Sequence, residues 1–307
     1  MDAPETQLGS GWDYLHDMTG IDVTAEIVQR LLAEQFPDLA PMPVEPIGPW
    51  GTDNAMFRIG EEFVARLPRS GWAKDAVAKE VRWLPTIAPH IPLSVPEVIG
   101  AGSPNGDYPW SWAVYRWIPG ERPATSTLRD SSEWSEQVAV FLTALSAVDN
   151  PEGPAPGPHN GFRGGPAAAR DRWVRPAVLG GPHPFDRNEL LEFWQYAVEL
   201  EAPSSAHGWL HGDLTPLNLL ADAGQITAVI DWGALAVGDS ACDLSIAWNF
   251  DEPCRSTLRD QLALNDATWE RGRAAAFWQW ISGATTDPDN EANRVIDRVL
   301  ADYRNDK

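Results

Sequence analysis

Cysteine is nearly absent from this chain of 307 residues: Cys242 and Cys254 are the only two, twelve positions apart, with no CxxC pair. Their scarcity excludes a disulfide framework and a zinc site built on paired thiolates, and it points to free thiols. Long apolar runs are missing as well. No window reaches the roughly eighteen apolar residues of a membrane span. The opening MDAPETQLGS is acidic and polar where a signal peptide needs a basic start and an apolar run, so a cytoplasmic protein is expected. Basic residues are scarce against acidic ones, 23 against 44, giving a formal net charge of −21 and a pI near 4.5. Such a field disfavours nucleic acid and anionic membrane as partners. It permits a cationic ligand, although a solvated acidic surface accounts for it equally well. Apolar residues are not scarce: at 43% they suffice for a full core in one large or two medium domains.

Two short segments carry the chemistry, HGDLTPLN at 211–218 and VIDWG at 229–233. Alone, the first reads as an Asp-capped turn and the second as a strand terminator. Together, an Asp followed by Asn at D-x-x-x-x-N and then an Asp after an apolar strand is what a kinase catalytic loop requires. Phosphoryl transfer asks little covalent work of a protein; positioning and charge neutralisation dominate. Asp213 is the candidate base for an acceptor hydroxyl. Asn218 and Asp231 offer oxygen ligands suited to Mg²⁺. Gly212 and Pro216 favour a loop, and ITAVI before Asp231 is a β-branched run that would hold it at a strand end.

HGDLTPLNLL followed by VIDWGALAVGDSACDLSIAW resembles the signature of the aminoglycoside phosphotransferase family, small-molecule kinases with a protein-kinase-like fold. The resemblance extends through GTDNAMFRIG, FVARLPR, KEVRWLP and VYRWIPGERP, and so covers most of the chain. It implies ATP or GTP as donor, Mg²⁺, and a small-molecule hydroxyl acceptor. It also implies that Asp243 is structural, accepting hydrogen bonds from the catalytic loop near His211.

The expected fold is α+β and two-lobed, with a small antiparallel sheet lobe for the nucleotide over 1–118 and a mainly helical lobe over 119–307. VTAEIVQRLLAEQF (23–36) has helical spacing, Thr24 as a cap and Pro37 as its end. From 41 to 69 short apolar runs alternate with Gly and Pro, an antiparallel meander with a hairpin at Gly60 and Glu61. Its loop IGPWGTDN would cover the phosphates, Gly51 admitting close backbone approach and Thr52 adding a donor; Gly-rich hairpins are mostly just hairpins. Arg66, where protein kinases carry Lys, is expected to pair with phosphates and with Glu80 on the helix that follows. A surface Arg and a solvated Glu are the plain alternatives. AVYRWIPG would end the first lobe, backbone groups of Tyr115 to Trp117 reading the base edge. Sixteen tryptophans invite stacking at Trp110, Trp112 and Trp117, but most are expected in the core.

Beyond Glu121 the pattern turns helical. SSEWSEQVAVFLTALSAV (131–148) is a buried helix. A Gly- and Pro-rich loop follows, with His159, Asn160 and Arg163 as pocket candidates or surface residues. His211 reads better as a structural residue than as a second base. Asp239 is expected to cap a helix carrying Asp243. Two C-terminal amphipathic helices, with 187–201, would wall the acceptor site and supply acids such as Asp251, Glu252 or Glu270. The expected reaction is γ-phosphoryl transfer to an antibiotic hydroxyl, aminoglycoside first and macrolide or basic cyclic peptide next. A metabolic kinase for a sugar, amino alcohol or homoserine-like acceptor is the alternative within enzymes, and a non-catalytic pseudokinase the alternative outside them. About ten residues between Asp231 and the next helix are too few for a segment that docks a protein substrate.

Overall fold

Alternation along the strands decides how the N-terminal sheet is clothed. A computed structural model describes residues 21–48, 53–71, 73–149, 152–203 and 208–306. Helix α1 (Ala25–Gln35) starts where the Thr24 hydroxyl accepts the Ile27 amide, as the sequence predicts. Strands β1 (Val44–Pro46), β2 (Asn54–Ile59) and β3 (Phe63–Pro68) form the meander, with α2 (Ala76–Ile87) next. Strands β4 (Val98–Gly102) and β5 (Trp112–Arg116) complete an antiparallel sheet in the order β1-β2-β3-β5-β4. Because side chains alternate across a strand, Ala65 and Leu67 of β3 pack with Val28, Leu31 and Leu32 of α1. Val64 faces the other way, with Val77 of α2 and Tyr115. Arg66 shares that second face. Each fully buried aliphatic side chain contributes about 1.5–3 kcal/mol, so this pattern fixes which face is left for the cleft.

Helix α2 ties the sheet to the rest. It continues through Pro85, and its far end, Leu84 and Ile87, enters the main helical core. That core is built on α3 (Thr125–Arg129), α4 (Ser132–Ser146), α5 (Asp171–Gly180) and α6 (Arg187–Glu199). Two small hairpin-like pairs follow: β6 (Gly208–Leu210) with β9 (Ala236–Gly238), and β7 (Leu219–Asp222) with β8 (Gln225–Val229). Helices α7 (Glu252–Gln261), α8 (Asp266–Ile281) and α9 (Glu291–Asn305) close the chain. Trp194, Trp209, Trp232 and Trp248 are fully buried in this core. Among the described residues no helix is long and apolar enough to cross a membrane.

Several expectations are corrected. Helix α8 is not amphipathic: Trp269, Gly272 to Phe277 and Ile281 are buried around most of its circumference, because it runs between the core and α9. Segment Ser240–Asn249 is capped by Asp239 as expected but winds as a ten-residue 3-10 helix. Its tighter spiral accompanies a close approach by α8, where a Cβ on Gly272 would lie 2.7 Å from Leu244 Cβ. Trp112 is a core residue, edge-on to Phe36 at 5.2 Å, which removes it as a stacking surface. Asp251 and Glu252 do not wall an acceptor site; they pair with Arg298 and Arg255. Glu270 bonds Tyr196 instead. The two cysteines are buried and unbridged.

Candidate active site

Asp213 and Asn218 of one loop, Asp231 and Arg66, from three separate segments, line one cavity of about 460 Å³ between the sheet and the helical core. Strand β6 delivers the catalytic loop. The amides of His211 and Gly212 donate to the carboxylate of Asp243 at 2.6 and 2.8 Å, the contact expected near His211. Burial pushes the Asp243 pKa up, against the pull of both amides. His211 Nδ1 accepts the Asp213 amide at 3.1 Å, so the network assigns the ring proton to Nε2, which donates to Ile230 O at 3.0 Å. No ring nitrogen is left to act on an acceptor. Gly212 is obligatory here: its φ is +82° and a Cβ would lie 2.5 Å from Ala234 O.

Asn218 turns its amide group inward. Nδ2 donates to Asp213 O at 2.8 Å and to Asp213 Oδ2 at 3.2 Å. Its Oδ1 stays available for a cation. Asp231 sits at φ 62°, ψ 65°, a left-handed conformation uncommon for a non-glycine residue. Its Oδ1 accepts from Arg66 at 2.6 Å, leaving Oδ2 open. Although 46% of its side chain is open to the cleft, desolvation opposes ionisation. Arg66, by its charge and its hydrogen bond, outweighs that and holds Asp231 below the ordinary carboxylate range. The two open oxygens are hard donors, as Mg²⁺ prefers.

Arg66 meets Glu80 as expected, NH1 to Oε1 at 2.5 Å, and both are buried. The fork of arginine explains why one side chain reaches two carboxylates, Glu80 and Asp231, where a lysine offers a single point charge. Glu80 is raised by burial and lowered by Arg66. Its second oxygen accepts the Tyr115 hydroxyl at 2.5 Å. Tyr115 thus supports the pair with its side chain, a role its sequence position did not suggest. The base-reading expectation is narrowed: the amides of Arg116 and Trp117 donate to Glu97 O and Glu62 O, so these two amides do not read the base. Ile118, which lines the cleft, has the first amide without a partner among the described residues. Trp117 lines the cleft under the Arg58 guanidinium at 3.9 Å. Gly51 and Thr52 lie outside the described residues.

Three further residues complete the picture. Asp53 lines the cleft, its pKa raised first by burial and then by Asp231. Arg163 NH2 donates to Asp213 Oδ1 at 3.2 Å, and Gln279 Nε2 to the same oxygen at 3.0 Å. Arg163 is placed by Asn160, whose Nδ2 bonds Arg163 O and Ala234 O. His159 contacts Lys79 Nζ at 3.0 Å rather than Asp213. Arg163 was a pocket candidate in the sequence; Gln279, 66 residues beyond Asp213, carried no local signal at all. Cys242 takes no part, since burial pushes its thiol up to about 12.

A five-stranded sheet over a helical region, with the loop pair at their junction, defines a protein-kinase-like phosphotransferase fold. The chain belongs to the phosphotransferase enzyme family (APH), whose model matches residues 44–277. It is an enzyme of the phosphotransferase class. Among solved structures it is similar to the GDP complex of aminoglycoside 2'-phosphotransferase-IIIa, at 19% identity over 93% of this chain and 100% of that one, TM-score 0.69. The streptomycin–ATP ternary complex of APH(2")-IIa matches at 15% identity over 85% and 88%, TM-score 0.58. The macrolide 2'-phosphotransferase MphH from Brachybacterium faecium matches at 19% over 83% and 91%, TM-score 0.57. No curated protein matches the chain at a significant level.

Proposed function

We propose that this enzyme transfers the γ-phosphoryl group of ATP or GTP to a hydroxyl of a small molecule. The observation that carries the reading is the convergence of Asp213, Asn218 and Asp231 with the Arg66–Glu80 pair on one cavity. The acceptor oxygen bonds to phosphorus as the bond from phosphorus to the bridging oxygen breaks. Its proton passes to Asp213, and the nucleoside diphosphate leaves with the bonding electrons. Asn218 holds the base through two contacts and, with Asp231, would hold Mg²⁺, which neutralises charge on the phosphates. Arg66 positions Asp231, and the Ile118 amide is the group for the base edge. Solved neighbours are named for aminoglycosides and macrolides, which supports an antibiotic acceptor; a metabolite hydroxyl is served by the same residues.

The test is nucleotide consumption with Mg²⁺ across aminoglycosides, macrolides, basic cyclic peptides and small metabolite alcohols, with product mass read in parallel. A gain of one phosphate on any panel member establishes the reaction. Asp231→Ala is expected to weaken Mg²⁺-dependent nucleotide binding; an unchanged Mg²⁺ dependence removes Asp231 from the metal site.

A further inference from the structure

The chain carries net charge −21, yet the acceptor side of Asp213 is basic. Arg163 reaches Asp213 from the 156–167 loop. Beside it Arg170 is only 8% exposed, and its Nε and one terminal nitrogen find no hydrogen-bond partner among the described residues. The Nε of Arg163 is likewise buried without a partner. Both guanidiniums address Trp278, with Cζ 3.2 Å from the ring centroid for Arg170 and 5.6 Å for Arg163. Lys79, held by His159 through the ring Nδ1 and the carbonyl, adds a third cation near Arg163.

A buried guanidinium without a carboxylate is costly, because desolvation is not repaid by an ion pair. Burial and the neighbouring Arg163 both act against the charged form of Arg170, but arginine stays protonated in proteins. Such a group is held in readiness for an anion. A planar fork over an aromatic face is the arrangement that takes a carboxylate in two parallel hydrogen bonds. Trp278, the ring that both guanidiniums address, also lines a second cavity of about 290 Å³ with Phe162, Leu200, Ala274 and Ala275, room for an apolar body. Its one acid, Asp239, is already paired with Arg271 at 2.6 Å. Among the described residues that line this cavity no carboxylate is left unpaired, and Asp213 beyond it is held by Arg163.

Resting on the phosphotransferase reading above, we propose that the acceptor carries a carboxylate, bound by Arg163 and Arg170 at the face of Trp278, and that its arrival draws Arg163 off Asp213. Before that exchange both lone-pair directions of Asp213 Oδ1 are taken, by Arg163 and Gln279. Afterwards one is open to the acceptor hydroxyl. The acceptor thereby frees a direction on Oδ1 of a base whose Oδ2 is held by Asn218 alone.

The experiment uses the full chain with hydroxymethyl-benzoic and hydroxymethyl-phenylpropanoic acids, each beside its primary amide and the corresponding amine, and a set of aminoglycosides. Binding is read by calorimetry without nucleotide, and turnover with ATP or GTP and Mg²⁺. The acids are expected to bind about tenfold or more tighter than their amides, and the amines not at all. Arg170→Gln is expected to bring acid and amide within about threefold, and Arg170→Lys to keep an intermediate preference. Equal binding of acid and amide overturns the proposal, as does preferential binding of aminoglycosides. So does an Arg170→Gln enzyme whose nucleotide KM rises instead, which assigns the guanidinium to the triphosphate. Where Arg170→Gln does not fold, the acid-to-amide ratio of the unaltered protein, falling with added salt, decides the matter. Acid binding without phosphorylation of any panel member leaves the anion site standing and sinks the phosphotransferase reading instead.

Discussion

Two sets of cations flank Asp213, and they differ in how their charge is answered. On the nucleotide side, Arg66 lies between Glu80 at 2.5 Å and Asp231 at 2.6 Å, with Tyr115 closing the network at Glu80. On the opposite side, Arg170 has no carboxylate partner among the described residues and Lys79 has a histidine. Arg163 has only the base itself. A guanidinium satisfied by the fold is a scaffold that positions other groups. One left unsatisfied stores a demand that a ligand can meet. Asp213 sits at the boundary, which is why its neighbours include donors from both sides.

The largest expected effect tests the boundary residue. Asp213→Ala should lower turnover by about 10² to 10⁴ while nucleotide binding is retained, read by single-turnover kinetics and nucleotide titration. Loss of binding as well would place Asp213 with the scaffold set rather than between the two. Next comes the scaffold itself. Glu80→Ala leaves the buried Arg66 with Asp231 alone and should cost up to about 3–5 kcal/mol in a denaturant melt; a loss below about 1 kcal/mol would mean the pair is no better compensated than a surface one. Tyr115→Phe removes one donor from the same carboxylate and should cost about 1–3 kcal/mol, since bonds to charged groups are the stronger kind.

The smallest effect probes the opposite side through pH. Burial holds the Lys79 pKa down to about 8, against about 10.4 in an unfolded chain. Between those values the unfolded chain binds a proton that the folded chain does not, so this residue's contribution to stability rises with pH. The penalty is therefore complete below pH 8. Lys79→Met should stabilise the protein by about 1–2 kcal/mol at neutral pH, the gain shrinking to nothing by about pH 10. A gain that does not vary with pH would show that it does not arise from desolvation of the Lys79 ammonium.

The parts of the site that were legible in the sequence are those whose partners are near in the chain or imposed by alternation. Asp213 and Asn218 are five residues apart and bond directly. Arg66 and Glu80 are fourteen apart, one on a strand whose even positions face the following helix. The tryptophans were harder, because composition gives their number and not their burial; Trp112 packs against Phe36 while Trp117 borders the cleft. The amides of Arg116 and Trp117 were misjudged for a similar reason. Whether a backbone donor is free depends on which carbonyl lies opposite, and Glu62 and Glu97 come from other segments.

The sequence by itself determined the candidate site's inventory: Asp213, Asn218 and Asp231, the Arg66 and Glu80 pair, and the strand-and-loop context that holds them. Short-range backbone preferences and side-chain chemistry suffice for that. Only the tertiary structure decided which charges are answered. It brought Gln279 across 66 residues to Asp213, turned the Tyr115 hydroxyl onto Glu80, and buried Arg170 against Trp278 with no acid beside it. Net charge is a sum over the chain, but electrostatic energy depends on distance and on exclusion of water. A chain of net charge −21 can therefore still gather Arg163, Arg170 and Lys79 on one side of Asp213.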